Sequence, residues 1–218
     1  DISNAAEAIC LVGRSLFERG YVHATAGNIS VKLDDGSYLI TPTDACLGRL
    51  EPGRLAHVAA DGQQLSGDRA SKTLALHRRI YAAAADARCV IHTHSTHLVA
   101  LSLQGVWRSD DILPPITPYY VMKVGHVPLV PYHRPGDPAV AEHVARLIAD
   151  RAAAGTPIRA VMLDRLGPNV WHRTPAEASA VLEELEETAR LYVLAGRQLG
   201  ALSEPQLEEL RQHFGAAW

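Results

Sequence analysis

Apolar positions along the chain fall into two periods. Between Ala5 and Gly20, Ile9, Val12, Leu16 and Phe17 recur at helical spacing, and Gly20 supplies a stop. "NISVKLDDGSYLIT" (28–41) instead carries two short β-rich runs around "DDG", the pattern of a hairpin. "SKTLALHRRIYAAAA" predicts a helix with Ser71 as its N-cap, leading into a buried strand, "CVIHTH". Ser95 or Thr96 then caps a helix through "HLVALSL", with His97 in its first turn, and the proline-rich "LPPITPYY" is expected to be a loop. "VPLVPY" is strand-like, and "DPAVAEHVARLIADRAA" is helical, with Pro138 at a first helical position. "IRAVML" and "PNVWH" predict strands around a turn at Gly167 and Pro168. The longest helix follows, started by Thr174 as N-cap, Pro175 at N1 and Glu177 at N3. A short helix over 204–213 closes the chain. With no repeat, linker or low-complexity segment, the pattern predicts one α/β domain over residues 1–218.

Composition narrows the classes. A net charge of −3 with scattered arginines forms no basic stripe, so nucleic acid is not an expected partner. The apolar runs are too short to span a bilayer. No basic segment with a cleavable apolar stretch opens the chain, although a start at Asp1 leaves a trimmed leader open. Cys10, Cys46 and Cys89 are an odd number without a CxxC pair, which predicts a reduced, cytoplasmic protein.

Candidate chemistry is concentrated in "VIHTHSTH", which holds three of the 11 histidines. Residues i and i+2 of a strand point the same way, so His92 and His94 are expected to project two imidazoles side by side at a strand's carboxyl end. A zinc site needs more ligands than two, and the alternative is a polar strand end with solvated histidines. "TAGNIS", "TPT", "SGD" and "SK" are glycine- and hydroxyl-rich loops. Gly27 admits a close backbone approach. Loop hydroxyls and amides can bond phosphate oxygens, with Ser71 placed to use a helix N-terminus and Lys72 beside it. Each loop alone reads more readily as a turn than as a phosphate cradle.

The order "TAGNIS … LITPT … LSGDRASK … IHTHS … VPLVPYHRPGD … LGPNV" resembles the class II aldolase and adducin-head family over roughly 5–196. "CLGRL", "LPPITPYYVMKVGHVPLVPYHRPGDP" and "LEELEETARL" are most similar to its 3-oxo-tetronate 4-phosphate decarboxylase branch. The resemblance implies a three-layer α/β/α fold with a central, mostly antiparallel sheet. It also implies a homotetramer with sites between subunits, and a sugar acid or sugar phosphate as substrate. Gly27, Asn28, Thr43, Asp44, Ser71 and Lys72 would form the substrate pocket, and His92 and His94 part of a divalent metal site, normally zinc. Thr73, Lys72 and Tyr119 occupy the catalytic positions.

Three of those positions depart from the family pattern. Thr73 stands where a catalytic Glu is usual, Leu166 where a third His ligand is usual, and Asp44 where a Gly is usual. A threonine hydroxyl is no general base near neutral pH, leucine coordinates nothing, and a carboxylate repels phosphate. Metal is therefore expected to be weak or absent unless His23, Asp164, His126, His133 or His172 replaces the missing ligand; His77 reads as a packed helix histidine. The leading expectation is a lyase that works through an enolate. The alternatives are a divergent enzyme without zinc chemistry, acting on a non-phosphorylated substrate, and a non-catalytic binding module.

Overall fold

The computed structural model describes residues 1–218. In chain order its elements are α1 (Ile2–Glu18), β1 (Asn28–Lys32), β2 (Tyr38–Ile40), β3 (Ala56–Val58), β4 (Gln64–Ser66), α2 (Leu74–Ala83) and β5 (Cys89–His92). Then come α3 (Thr96–Gln104), α4 (Pro118–Lys123), β6 (Leu129–Val130), α5 (Pro138–Ala153), β7 (Ala160–Leu163), β8 (Gly167–His172), α6 (Pro175–Leu194) and α7 (Glu204–Phe214). The strands form one sheet in the order β4-β3-β2-β1-β5-β8-β7-β6, antiparallel except for the β6–β7 pair.

Strand alternation divides the core into two layers. Ile29, Val31, Cys89 and Ile91 face the side covered by α1, α3, α4 and α6. Val90, Val161 and Trp171 face the other side, covered by α2 and α5. Trp171 is wholly buried there, and truncating such a side chain to Ala costs about 3–5 kcal/mol. Asn28 and Ser30 have the parity of Val90, so they too face α2. This three-layer α/β/α arrangement, with its mostly antiparallel sheet, is the expected one.

Two helix starts are as expected. Thr174 accepts from Glu177 N, and Pro138 opens α5, behind an Asp137 cap that accepts from Ala139 N. The start of α2 is a correction. Its N-cap is Thr73, without a side-chain cap bond, and Ser71 lies outside the helix, bonded to the Thr73 hydroxyl at 2.9 Å. Ser95 is the N-cap of α3 but makes no cap bond either. Glu186, reaching across from α6, accepts from Leu98 N at 2.9 Å and His97 N at 3.2 Å instead. The segment expected to be a loop, 113–120, ends inside α4, which Thr117 caps and Pro118 opens. Two short 3-10 helices (Leu47–Arg49 and Pro52–Arg54), the short strand β3 and the edge strand β4 are further corrections.

Candidate active site

Antiparallel pairing brings three chain segments to one end of β5. Asn28 at the start of β1 and Asn169 near the start of β8 both pair with His92. The three side chains therefore stand in a row across adjacent strands, on the α2/α5 side. Glycine makes the surrounding loops fit. Gly167, at φ 133°, lies so near the 93–94 backbone that a Cβ would fall 1.9 Å from the Thr93 carbonyl oxygen. A Cβ on Gly27, at φ 87°, would lie 2.9 Å from the His92 carbonyl oxygen.

A cavity of about 660 Å³ opens above this row. Gly27, Asn28, Thr43, Asp44, Ser71, Lys72, Thr73, His92 and His94 all line it, so every proposed substrate and metal position is brought together. Leu166 lines it as well, with Leu163 and Val140 on an apolar wall. Tyr119 does not line it; it stands 61% exposed on α4. Sequence reasoning missed Asn169 and Arg134, which also contribute to the lining. For Asn169 a signal existed: it is the third residue of "GPN", opposite His92 once β8 pairs with β5. Its Oδ1 is buried without a hydrogen-bond partner.

Electrostatics at the cavity favour neutral imidazoles. Burial holds His92 down at about 4, reinforced by His94. His94 is lowered by its own partial burial and by His23. His92 Nδ1 donates to the Pro168 carbonyl at 2.8 Å, leaving Nε2 with a free lone pair. His77 is the packed, hydrogen-bonded histidine expected; full burial lowers it to about 3. Asp44 has φ 58°, so it keeps the left-handed backbone that a glycine would adopt.

The fit to a metal can be tested on these donors. The His92 and His94 ring centroids are 5.1 Å apart, and the lone pair on His92 is ligand-ready. His23 approaches His94 edge-on at 6.3 Å, but nowhere in the chain do three His, Cys, Asp or Glu side chains come together as a metal-holding group. The other proposed replacements are engaged elsewhere. His126 is bonded to Asp111 and stacked on Trp218, His172 pairs with Glu177, His133 is bonded to the Pro131 carbonyl oxygen, and Asp164 does not line the cavity. Two ligands are present, and Thr73 and Leu166 add none. The residues of this chain do not complete a zinc site.

Comparison with known proteins agrees with the fold and motif order. The family model for the class II aldolase and adducin N-terminal domain matches residues 7–193. The 3-oxo-tetronate 4-phosphate decarboxylase of Cupriavidus necator is 56% identical over 221 residues, covering 99% of this chain and 98% of that protein. The Escherichia coli protein of the same name is 44% identical, covering 94% of each. The crystal structure of Escherichia coli YgbL superposes with a TM-score of 0.88 at 43% identity, covering 96% of this chain and 99% of that one. An L-fuculose 1-phosphate aldolase shares the fold, with a TM-score of 0.78 at 22% identity. No helix is long and apolar enough to cross a membrane.

Proposed function

Because the chain belongs to the class II aldolase and adducin N-terminal domain family, we propose that it is a carbon–carbon lyase that decarboxylates a small phosphorylated 3-oxo acid of the 3-oxo-tetronate 4-phosphate type. Carbon–carbon cleavage fits that membership. One observation carries the reading. The anion-accepting group of Asn28, Thr43, Ser71 and Lys72 shares a single cavity with His92, His94 and an apolar wall.

The residues divide the work by position. Lys72, Ser71, Thr43 and the Asn28 amide hold the phosphate, and Thr73 supports Ser71 through its hydroxyl. The bond between C1 and C2 breaks, its electron pair forms the C2–C3 double bond, and the C3 oxygen takes the negative charge. An N–H of His94, which has no partner within the chain, donates to that oxygen. The carboxylate leaves as neutral carbon dioxide against Leu163, Leu166 and Val140, and a solvent proton adds at C2. Asn169, opposite His92 on β8, lines the same end of the cavity.

No step is routed through a metal. A divalent ion, zinc by preference, would be held weakly by His92 and His94 alone. The protein functions as a cytoplasmic homotetramer of one domain per chain, in which Tyr119 serves a neighbouring subunit's cavity. The test is release of carbon dioxide from 3-oxo-tetronate 4-phosphate and from its unphosphorylated analogue. Turnover of the phosphate ester at least tenfold more efficiently is expected. The reverse preference would favour the divergent reading motivated by Asp44, and no turnover of either would favour a binding module.

A further inference from the structure

Beneath the cavity, three polar side chains that the reaction does not use form a buried line ending on Asn28. The Tyr81 hydroxyl lies 2.7 Å from Ser30 Oγ, and Ser30 Oγ lies 2.7 Å from His77 Nδ1. His77 Nε2 lies 2.6 Å from Asn28 Oδ1. Tyr81, Ser30, His77 and Asn28 are all buried, and only Asn28 reaches the cavity lining.

The direction of these bonds can be deduced. The Tyr81 hydroxyl has one hydrogen and two acceptors in range, Ser30 Oγ at 2.7 Å and the Arg88 carbonyl at 3.5 Å. The second is at the outer limit for an O–H donor, whereas the first is at the usual length. Tyr81 therefore donates to Ser30. Ser30 has one hydrogen of its own, and it goes to His77 Nδ1. A neutral ring that accepts at Nδ1 carries its hydrogen on Nε2, and that hydrogen can only go to an acceptor. The carboxamide of Asn28 must present its oxygen to His77 and its nitrogen elsewhere. That nitrogen has no partner within the chain, and the side chain borders the cavity. In the opposite polarity, Asn28 would turn its oxygen toward an incoming phosphate, and the last hydrogen of the line would be left with the 3.5 Å contact.

We propose that His77 is a positioning residue that locks the Asn28 carboxamide with its NH2 group facing the cavity, in a polarity set by Tyr81 through Ser30. This makes Asn28 an obligate donor, so the pocket selects an acceptor-rich group such as phosphate over a hydroxyl-bearing neutral end. The inference rests on the reading of the cavity's Asn28 end as the anion site.

The experiment combines a tautomer measurement with a binding measurement. Two-bond 1H–15N correlation on protein carrying 15N-labelled histidine rings reports which nitrogen of His77 is protonated, and inorganic phosphate is then titrated into wild type and His77→Gln. Glutamine can offer Asn28 either its oxygen or its nitrogen, so it no longer imposes one orientation. The expected result is a neutral Nε2–H tautomer in wild type, and phosphate affinity at least threefold weaker in His77→Gln at a temperature where both are folded. The Nδ1–H tautomer in wild type, or unchanged phosphate affinity in a folded His77→Gln, would overturn the proposal. The Nε2–H tautomer in a wild type that binds no phosphate would support the amide lock and sink the anion-site reading instead. If His77→Gln does not fold, the wild-type tautomer alone decides.

Discussion

Asn28 and His92 face each other across the β1–β5 ladder, so the anion end of the cavity and its imidazole end are joined by adjacent backbone. The two ends cannot move apart without breaking the pairing between the two central strands. This rigidity leaves specificity to the side chains that line the cavity between them.

Asp44→Gly should improve anion binding without harming the fold. Asp44 already holds a left-handed φ of 58°, which glycine adopts without steric cost. The substitution also removes a negative charge from the cavity lining. Stability should change by about 1 kcal/mol or less, because relieved backbone strain is offset by a more flexible unfolded chain. Calorimetric titration with inorganic phosphate should show tighter binding in the variant, most clearly at low ionic strength. Equal or weaker binding would mean that Asp44 points its carboxylate away from the anion.

Glu186→Ala should loosen the start of α3 and lower thermal stability. The carboxylate, only 7% exposed, accepts from two amides of the first turn and from His97 Nδ1 at 2.9 Å. Leaving buried donors unsatisfied costs about 2 kcal/mol, which for a chain of this length lowers Tm by roughly 4–8 °C. A thermal melt unchanged within a degree would show that water takes over the cap.

His77 should contribute acid lability. Its folded value of about 3 lies below the ordinary value of 6.5, so the unfolded chain binds a proton that the folded one refuses. The stabilising contribution is fully present above about pH 6.5 and is lost as pH falls toward the folded value. The slope approaches roughly 1.4 kcal/mol per pH unit between about pH 6 and 4. Urea unfolding across that range should give a shallower dependence for His77→Gln than for wild type. Parallel curves would show that the folded protein accepts the proton.

The sequence reveals some of this structure for definite reasons, and hides the rest for equally definite ones. Helices α5 and α6 were readable because Asp137–Pro138 and Thr174–Pro175 state their starts chemically. The face of His92 was readable from strand alternation. The start of α2 was not, because Ser71 and Thr73 are both plausible caps and tertiary packing chose between them. Strands of three residues, β3 and β4, are too short to show a period. The cap on α3 comes from Glu186, 88 positions after Leu98, and no local window contains it. The same applies to the His77–Asn28 bond, whose partners lie 49 positions apart. Altered positions were visible only against a family pattern, and the structure adds where they meet: Thr73, Leu166 and Asp44 all line one cavity.

Restoring the missing ligand should restore metal. Leu166 lines the cavity that holds His92 and His94, whose rings are already 5.1 Å apart with His92 Nε2 free. Wild-type protein dialysed against a mild chelator should retain substoichiometric zinc, because two imidazoles and water make a weak site. Leu166→His should retain more, and the double variant with Thr73→Glu more again, since each adds a donor to the same cavity. The lost packing of Leu166 on the α2/α5 side should cost the metal-free variant stability, and added zinc should recover it as a rise in Tm. Elemental analysis and paired thermal melts check both halves. Stoichiometric, chelator-resistant zinc in the wild type would overturn the prediction and make His23, beside His94, the first residue to test as the third ligand.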